Sequence, residues 1–360
     1  MNIINQTPFA VETLPFSDPD GQAFLALIVK GTFAMVHKKA ALPAKEQIPV
    51  AFGDEMYSAP VGSGVRLEAD NAPFKPCADV VLVGHAYAPP GLRSVTGIDV
   101  SLRVGALHRV LRVFGDRHWR WRFLWLARRT RPEPFAKMPI TYERAFGGMD
   151  MAGGGFCPRN LAGRGYLSKI CKENVQDVLL PNIEDPRHLI RSPKDHPLPV
   201  GFGFYGRDWA PRVNHLGTFD EDWRKQRSPE MPRDFSFAYY NAAHPDLQIK
   251  GYLQGDEVVE LRNLTPDWVM RFKLPAVRIT CRVDKSYQML AALVESRRPS
   301  HPELQKLQVR APEQEDMVMN LDTLCLLPDE QRFFLIWRGR LPLFDPTALE
   351  IEAIRISRRT

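Results

Sequence analysis

The residues best equipped for chemistry cluster between Pro139 and Tyr166, where seven glycines are interleaved with Glu143, Asp150, Cys157, Asn160 and Arg164. Two carboxylates such as Glu143 and Asp150 can divide general acid and base work if a fold brings them together. Glu184, Asp185 and Asp256 offer a second set. A hydrolase or transferase with its site in 139–166 could also use Cys157 as nucleophile. Its neighbour Arg159 can lower a thiol pKa but cannot accept the proton. Sharper signatures are missing. The sequence contains no G-x-x-x-x-G-K-[ST] phosphate loop, no G-x-S-x-G elbow and no H-E-x-x-H. Its nine histidines show no metal-like spacing, and no C-x-x-C occurs. No cofactor or metal is expected, and Gly163-Arg164-Gly165 offers only a small anion nest.

Such groups need a rigid support. Glycine reaches backbone angles closed to other residues and lets a second chain approach closely. Tyr142, Phe146, Phe156 and Tyr166 are large rings that a flexible linker would not carry. The stretch therefore reads as a long, ordered, irregular connection, of the kind that is usually functional in a compact domain. A second irregular segment, crowded with Pro and His, runs up to Gly203. The candidate partner-contact residues are Tyr142, Phe146, Gly147, Gly148, Asn160, Arg164 and Tyr166 from the first connection, and Phe202, Phe204 and Tyr205 from the second. Core packing is the competing reading for every ring.

Thirty-one prolines spread along 360 residues leave little room for long helices. Alternating and continuous apolar runs predict strands instead. Phe24–Phe33 reads as a strand buried on both faces, and Val80–Tyr87 is similar. Ile98–Val104 reads as a strand buried on one face. Leu107–Phe114 and Arg117–Trp125 read as a hairpin turning at Gly115-Asp116. Further strands are expected at 258–264, 277–283, 317–327 and 331–337. Thr218 with Glu221 forms a capping box for a short helix that buries Trp223. Residues 235–243 suggest a helical turn, 287–295 a helix, and 297–316 an exposed, variable insertion. The expected architecture is mainly β: one large antiparallel sheet or sandwich-like domain over 1–360, with a few short helices, long ordered loops and its weakest seam near 131–138.

Composition bounds the class. No apolar run approaches the length of a membrane span, and the N-terminus lacks the pattern of a secretory signal. Five scattered cysteines suit a reducing cytoplasm. The net charge of +6 is concentrated in residues 103–131, which hold nine arginines against Asp116 alone. Arginines among tryptophans can bind nucleic acid. In Trp119-Arg-Trp-Arg-Phe123, however, the rings share one face and the arginines the other. That alternation favours a half-buried sheet with an Arg-covered face, and an acidic protein as its partner.

Seven segments in order carry a family resemblance: Val113-Phe-Gly-Asp-Arg-His-Trp119, Tyr142-Glu-Arg-Ala-Phe-Gly-Gly148, Asn160-Leu-Ala-Gly-Arg-Gly-Tyr166, Leu180-Pro-Asn-Ile-Glu-Asp-Pro186, Gly217-Thr-Phe-Asp-Glu-Asp-Trp223, Gly251-Tyr-Leu-Gln-Gly-Asp-Glu257, and Leu321-Asp-Thr323 with Trp337-Arg-Gly339. Together the segments resemble the bacterial domain-of-unknown-function proteins encoded beside type VI secretion toxins and spike proteins, which serve as effector adaptors or chaperones. Cys157-Pro-Arg before Asn160 departs from the simpler turn expected there. The resemblance implies a non-enzymatic protein that binds a toxin, often through the toxin's N-terminal region, and helps load it onto the spike or its tip.

Overall fold

A computed structural model describes residues 1–57, 63–122, 126–285, 313–343 and 351–359. The protein is mainly β, as its alternating patterns predict. The largest sheet is organised on Ala23–Ala34, whose central residues are all buried. Leu25, Leu27, Ile28 and Val29 lie at 2% exposure or less, and removing each such side chain from water is worth about 1.5–3 kcal/mol. Continuous burial requires cover on both faces, so this strand sits inside the sheet. Arg332–Pro342 and Ala10–Ser17 flank it, both antiparallel. Asn320–Leu327 follows Arg332–Pro342, then Cys77–Leu82 in parallel, then Gln248–Lys250 at the edge.

A five-stranded antiparallel sheet runs in the order Ile183–Glu184, Leu107–Phe114, Gly97–Val104, Val258–Arg262, Val269–Lys273. Phe272 of this sheet stacks on Phe333 of the large sheet at 5.2 Å between ring centroids. The inner faces of both sheets merge in one buried cluster. A third sheet pairs Asn2–Asn5, Ile351–Arg359, Arg278–Lys285 and Glu313–Met317, and Ile279, Cys281, Val283, Ile354 and Ile356 join the same cluster. A separate small core holds Trp119, Phe146, Cys157, Leu167, Val175, Leu180 and Ile190. It lies beneath the glycine-rich connection. No helix of the described residues is long and apolar enough to cross a membrane.

Four local expectations change. Leu107–Phe114 turns at Gly105 to pair with Gly97–Val104, and does not pair with the described part, 117–122, of the expected partner strand. Gly105 sits at φ +56°, while Gly115 is pinned against Glu133, whose carbonyl oxygen would lie 1.7 Å from an added Cβ. Trp119–Arg122 pairs instead with Leu126–Arg129. The helix Glu221–Gln226 is capped by Asp220, whose carboxylate accepts the Trp223 N–H at 2.8 Å. Thr218 is drawn away by Asp234 at 2.7 Å, and Trp223 stays half-exposed against Phe219. Within the expected insertion, Glu313–Met317 is a strand paired with Arg278–Lys285. The expected helix 287–295 and the insertion up to 312 lie outside the described residues.

Candidate binding cleft

Two irregular segments meet at one site. The glycine-rich connection is folded around Asn160, which is fully buried. Its side-chain amide donates to the carbonyls of Tyr142 at 2.8 Å and Phe146 at 3.0 Å. The chain passes so close that Gly147 and Gly148 tolerate no side chain: an added Cβ would lie 2.2 Å from the Asn160 carbonyl oxygen and 2.3 Å from that of Gly163. Both glycines have positive φ. Two N–H groups of the suspected anion nest are taken by the backbone, since the Gly163 N–H donates to Asn160 O at 3.4 Å and the Arg164 N–H to Ala145 O at 3.0 Å. The Arg164 guanidinium donates to Glu143 O at 2.9 Å.

The Pro/His segment is fastened to this framework. His196 reaches Leu167 O at 3.0 Å and packs against Phe146 and Tyr166. The Tyr205 hydroxyl lies 2.7 Å from Arg159 O and 2.9 Å from Ala210 O. Tyr142, Tyr205 and Trp209 meet edge to face at 5.3–5.4 Å. Gly201 makes room for the Tyr142 ring. Of the candidate contact rings, Tyr142, Phe146, Phe202, Phe204 and Tyr205 are buried, while Tyr166 is half-buried. Asn160, Gly147 and Gly148 are buried and Arg164 half-buried. Most of these ten residues are therefore built into the framework, while Tyr205 also lines the cleft described below. What the framework shows to solvent is different.

One exposed element is a tip. Met149 and Phe156 face each other across the Met149–Asp150 and Gly155–Phe156 pairing. Met149, Met151, Phe156 and Ile170 are all exposed. Asp150 underneath is buried and holds the tip from within. It accepts from Gly153 N–H at 2.7 Å, from Ser168 N–H and Oγ at 2.8 Å, and from Asn174 Nδ2 at 2.8 Å. Burial acts to raise its pKa, but the bonds from Asn174, Gly153 and Ser168 outweigh burial and hold it well below the usual carboxylate range.

The second exposed element is a cleft of about 660 Å³ between Arg159, Pro197–Pro199, Pro211 and Asp246. Its floor follows from strand register. Arg109 shares the inward face of Leu107–Phe114 with Leu111 and Val113, so its charge is nearly buried and must be paired. It bridges Asp185 at 3.1 Å and Asp246 at 3.0 Å. Asp246 is brought there by a chain of buried contacts: Asp79, on Cys77–Leu82, accepts the Ala242 and Ala243 N–H groups at 2.8 and 3.2 Å. That fixes the turn ending in His244-Pro245-Asp246. Arg187 grips Asp185 by its backbone at 2.9 Å and its guanidinium at 2.8 Å. Arg187 hydrogen bonding is the chief cause of a pKa for Asp185 well below the usual range. Burial pushes the His244 pKa down, partly opposed by Asp246.

Each carboxylate named for a possible acid–base pair has a partner of its own. Glu143 accepts the Gly64 N–H at 2.6 Å, Glu184 is paired with buried Arg117, and Asp256 lies near Lys273. Asp150 and Asp185 serve the structures above. Cys157 is buried in the small core. The Arg band is partly matched: Arg109 and Arg117 as described, Arg112 by Asp99 at 3.1 Å, and Arg120 by Asp177. Arg129 donates to Ile190 O at 2.6 Å. Sequence reasoning passed over Met149, Met151, Leu198 and the His244–Asp246 turn. Exposed methionines carry no periodic signal, and the turn matters only through Arg109, distant in the chain.

The fold and the site define a mainly β protein whose connecting loops are locked by buried polar residues and expose an apolar tip and a mixed-charge cleft. The chain belongs to the family described as "uncharacterized protein conserved in bacteria (DUF2169)", whose model matches residues 20–338. No curated protein and no solved structure matches.

Proposed function

We propose that this protein is a non-enzymatic adaptor or chaperone of a bacterial type VI secretion system. In this reading it binds a toxin effector in the cytoplasm and helps load it onto the spike complex. The observation that carries the proposal is the tip: Met149 and Phe156 stand exposed and paired across two short strands, with Met151 exposed in the turn that follows, while Asp150 and Asn160 fix the chain beneath them. Monomers rarely leave a clustered apolar surface on a rigid loop without a partner for it. Methionine adapts its shape to varied apolar surfaces, which suits capture of a toxin segment. The seven sequence segments support the type VI assignment, and the structural hydrogen bonds that occupy Glu143 and Asp150 favour binding over acid–base chemistry.

The test is co-expression with the product of the adjacent toxin gene, followed by affinity capture at low salt and then with the spike protein added. The toxin is expected to co-elute with the wild-type protein and with the spike. Met149→Asp combined with Phe156→Asp should reduce recovery by about tenfold, since apolar anchors dominate such interfaces. Both side chains are exposed, so the variant should unfold thermally like the wild type. A toxin that never co-elutes, or one that the double variant retains in full, would remove the proposal.

A further inference from the structure

We infer that the Arg109 cleft binds an extended peptide segment in which an acidic side chain stands beside an apolar one. The segment would come from a protein partner, and only that source rests on the adaptor reading. The cleft's charges are the first ground. Arg109 and Arg187 are matched by Asp185 and Asp246. Arg159 is exposed on the opposite rim and has no acidic partner among the described residues. One guanidinium therefore remains to receive a carboxylate, which its planar fork can bind through two parallel hydrogen bonds.

The apolar rim is the second ground. Leu198 is 56% exposed and stands between Pro197 and Pro199. Prolines have no N–H to offer, so this wall presents apolar surface in a fixed shape. An apolar side chain of the ligand would lie on Leu198 while its neighbouring carboxylate reaches Arg159. The volume of about 660 Å³ is within the range of built binding sites. A nucleic acid suits the cleft poorly, because Asp246 stands half-exposed on the floor and would meet its phosphates. The cleft is also braced: Tyr205 is tied to Arg159 O and Ala210 O on either side, so a peptide would enter a formed site.

Fluorescence anisotropy of the full chain with a fluorescein-labelled peptide of alternating glutamate and leucine tests this directly. Two control peptides replace glutamate by lysine or leucine by serine. The glutamate–leucine peptide is expected to bind saturably, with affinity falling as salt rises. Each control, and each of the variants Arg159→Glu and Leu198→Asp, should weaken binding by about tenfold or more. Both substituted side chains are exposed, and unchanged thermal unfolding confirms the fold. Absence of binding, equal binding of the lysine peptide, or variants that bind like the wild type would overturn the inference. So would displacement of the peptide by a short single-stranded RNA at equal concentration. The assay contains no toxin, so its failure with toxin capture intact would remove the cleft alone. Peptide binding without toxin capture would remove the adaptor reading alone.

Discussion

Arg212 and Glu68, 144 positions apart in sequence, form a buried two-pronged ion pair with N–O distances of 2.5 and 2.6 Å. The same guanidinium donates to Tyr205 O at 2.6 Å and Tyr239 O at 2.7 Å. Burial acts to raise the Glu68 pKa, and Arg212 overcomes it to leave a net lowering. The pair thus holds the wall behind the cleft. Arg212→Ala should cost about 3–5 kcal/mol in urea unfolding, because a buried carboxylate is left alone. Glu68→Leu with Arg212→Met should recover part of that loss. Recovery would be incomplete, since the two tyrosine carbonyls still lack their donor. Equal stability of Arg212→Ala and wild type would show that the pair does not support the wall.

Asn160 makes a comparable prediction for the glycine-rich connection. Asn160→Ala leaves the Phe146 carbonyl without a partner, at about 1–3 kcal/mol, and takes one of two donors from the Tyr142 carbonyl, which still accepts the Ala145 N–H at 3.1 Å. A total loss of about 1–3 kcal/mol is expected in thermal or urea unfolding. Gly148→Ala should be at least as harmful, because φ there is +89° and the added methyl would meet Gly163 O. A stable, fully folded Gly148→Ala protein would contradict the geometry described.

Asp150 gives the tip an acid limit. Its folded pKa is depressed below the unfolded value of about 3.9. Its stabilising effect is therefore complete above about pH 4 and declines as pH falls further toward the folded value, where the unfolded chain binds more protons. Asp150→Asn should lower stability at pH 7 and flatten this acid limb. Parallel stability curves for the variant and wild type between pH 5 and about pH 2 would show that the carboxylate contributes nothing.

For the basic band, ion pairing predicts weak, non-specific behaviour toward nucleic acid. Arg103, Arg122, Arg128, Arg129 and Arg131 have no acidic partner among the described residues, whereas Arg109, Arg112, Arg117 and Arg120 do. Any DNA binding should therefore show a log–log salt slope no steeper than about −5. A much steeper slope in a filter-binding or anisotropy titration would mean that these pairs open to receive phosphates.

The strand skeleton was legible because burial imposes periods. Residues 97–104 alternate in exposure as their sequence alternates, and residues 23–34 are buried throughout as their continuous apolar run requires. The hairpin at Gly105 was not legible, because Gly105-Ala106 and Gly115-Asp116 are equally good two-residue turns. The choice was made by distant neighbours: Ile183 on the edge strand and Glu133 against Gly115. The same limit applies to the cleft. Arg109 looked like one arginine of a surface band, and only Asp185 and Asp246, both arriving from far along the chain, explain why it can point inward. The glycine-rich and Pro/His segments were legible as ordered. Their rings proved to be the framework, because Asn160 and Gly201 draw them into the interior.

The order of strands in the large sheet bears on synthesis. Ala23–Ala34 leaves the ribosome early, yet its neighbour Arg332–Pro342 is made some three hundred residues later, and Cys77–Leu82 likewise waits for Asn320–Leu327. Closing contacts so far apart along a chain is slow. For most of translation the nascent polypeptide must carry one long, water-averse ribbon with only its hairpin partner Ala10–Ser17 to lie against, so a protein read as a guardian of other chains depends on early shelter itself.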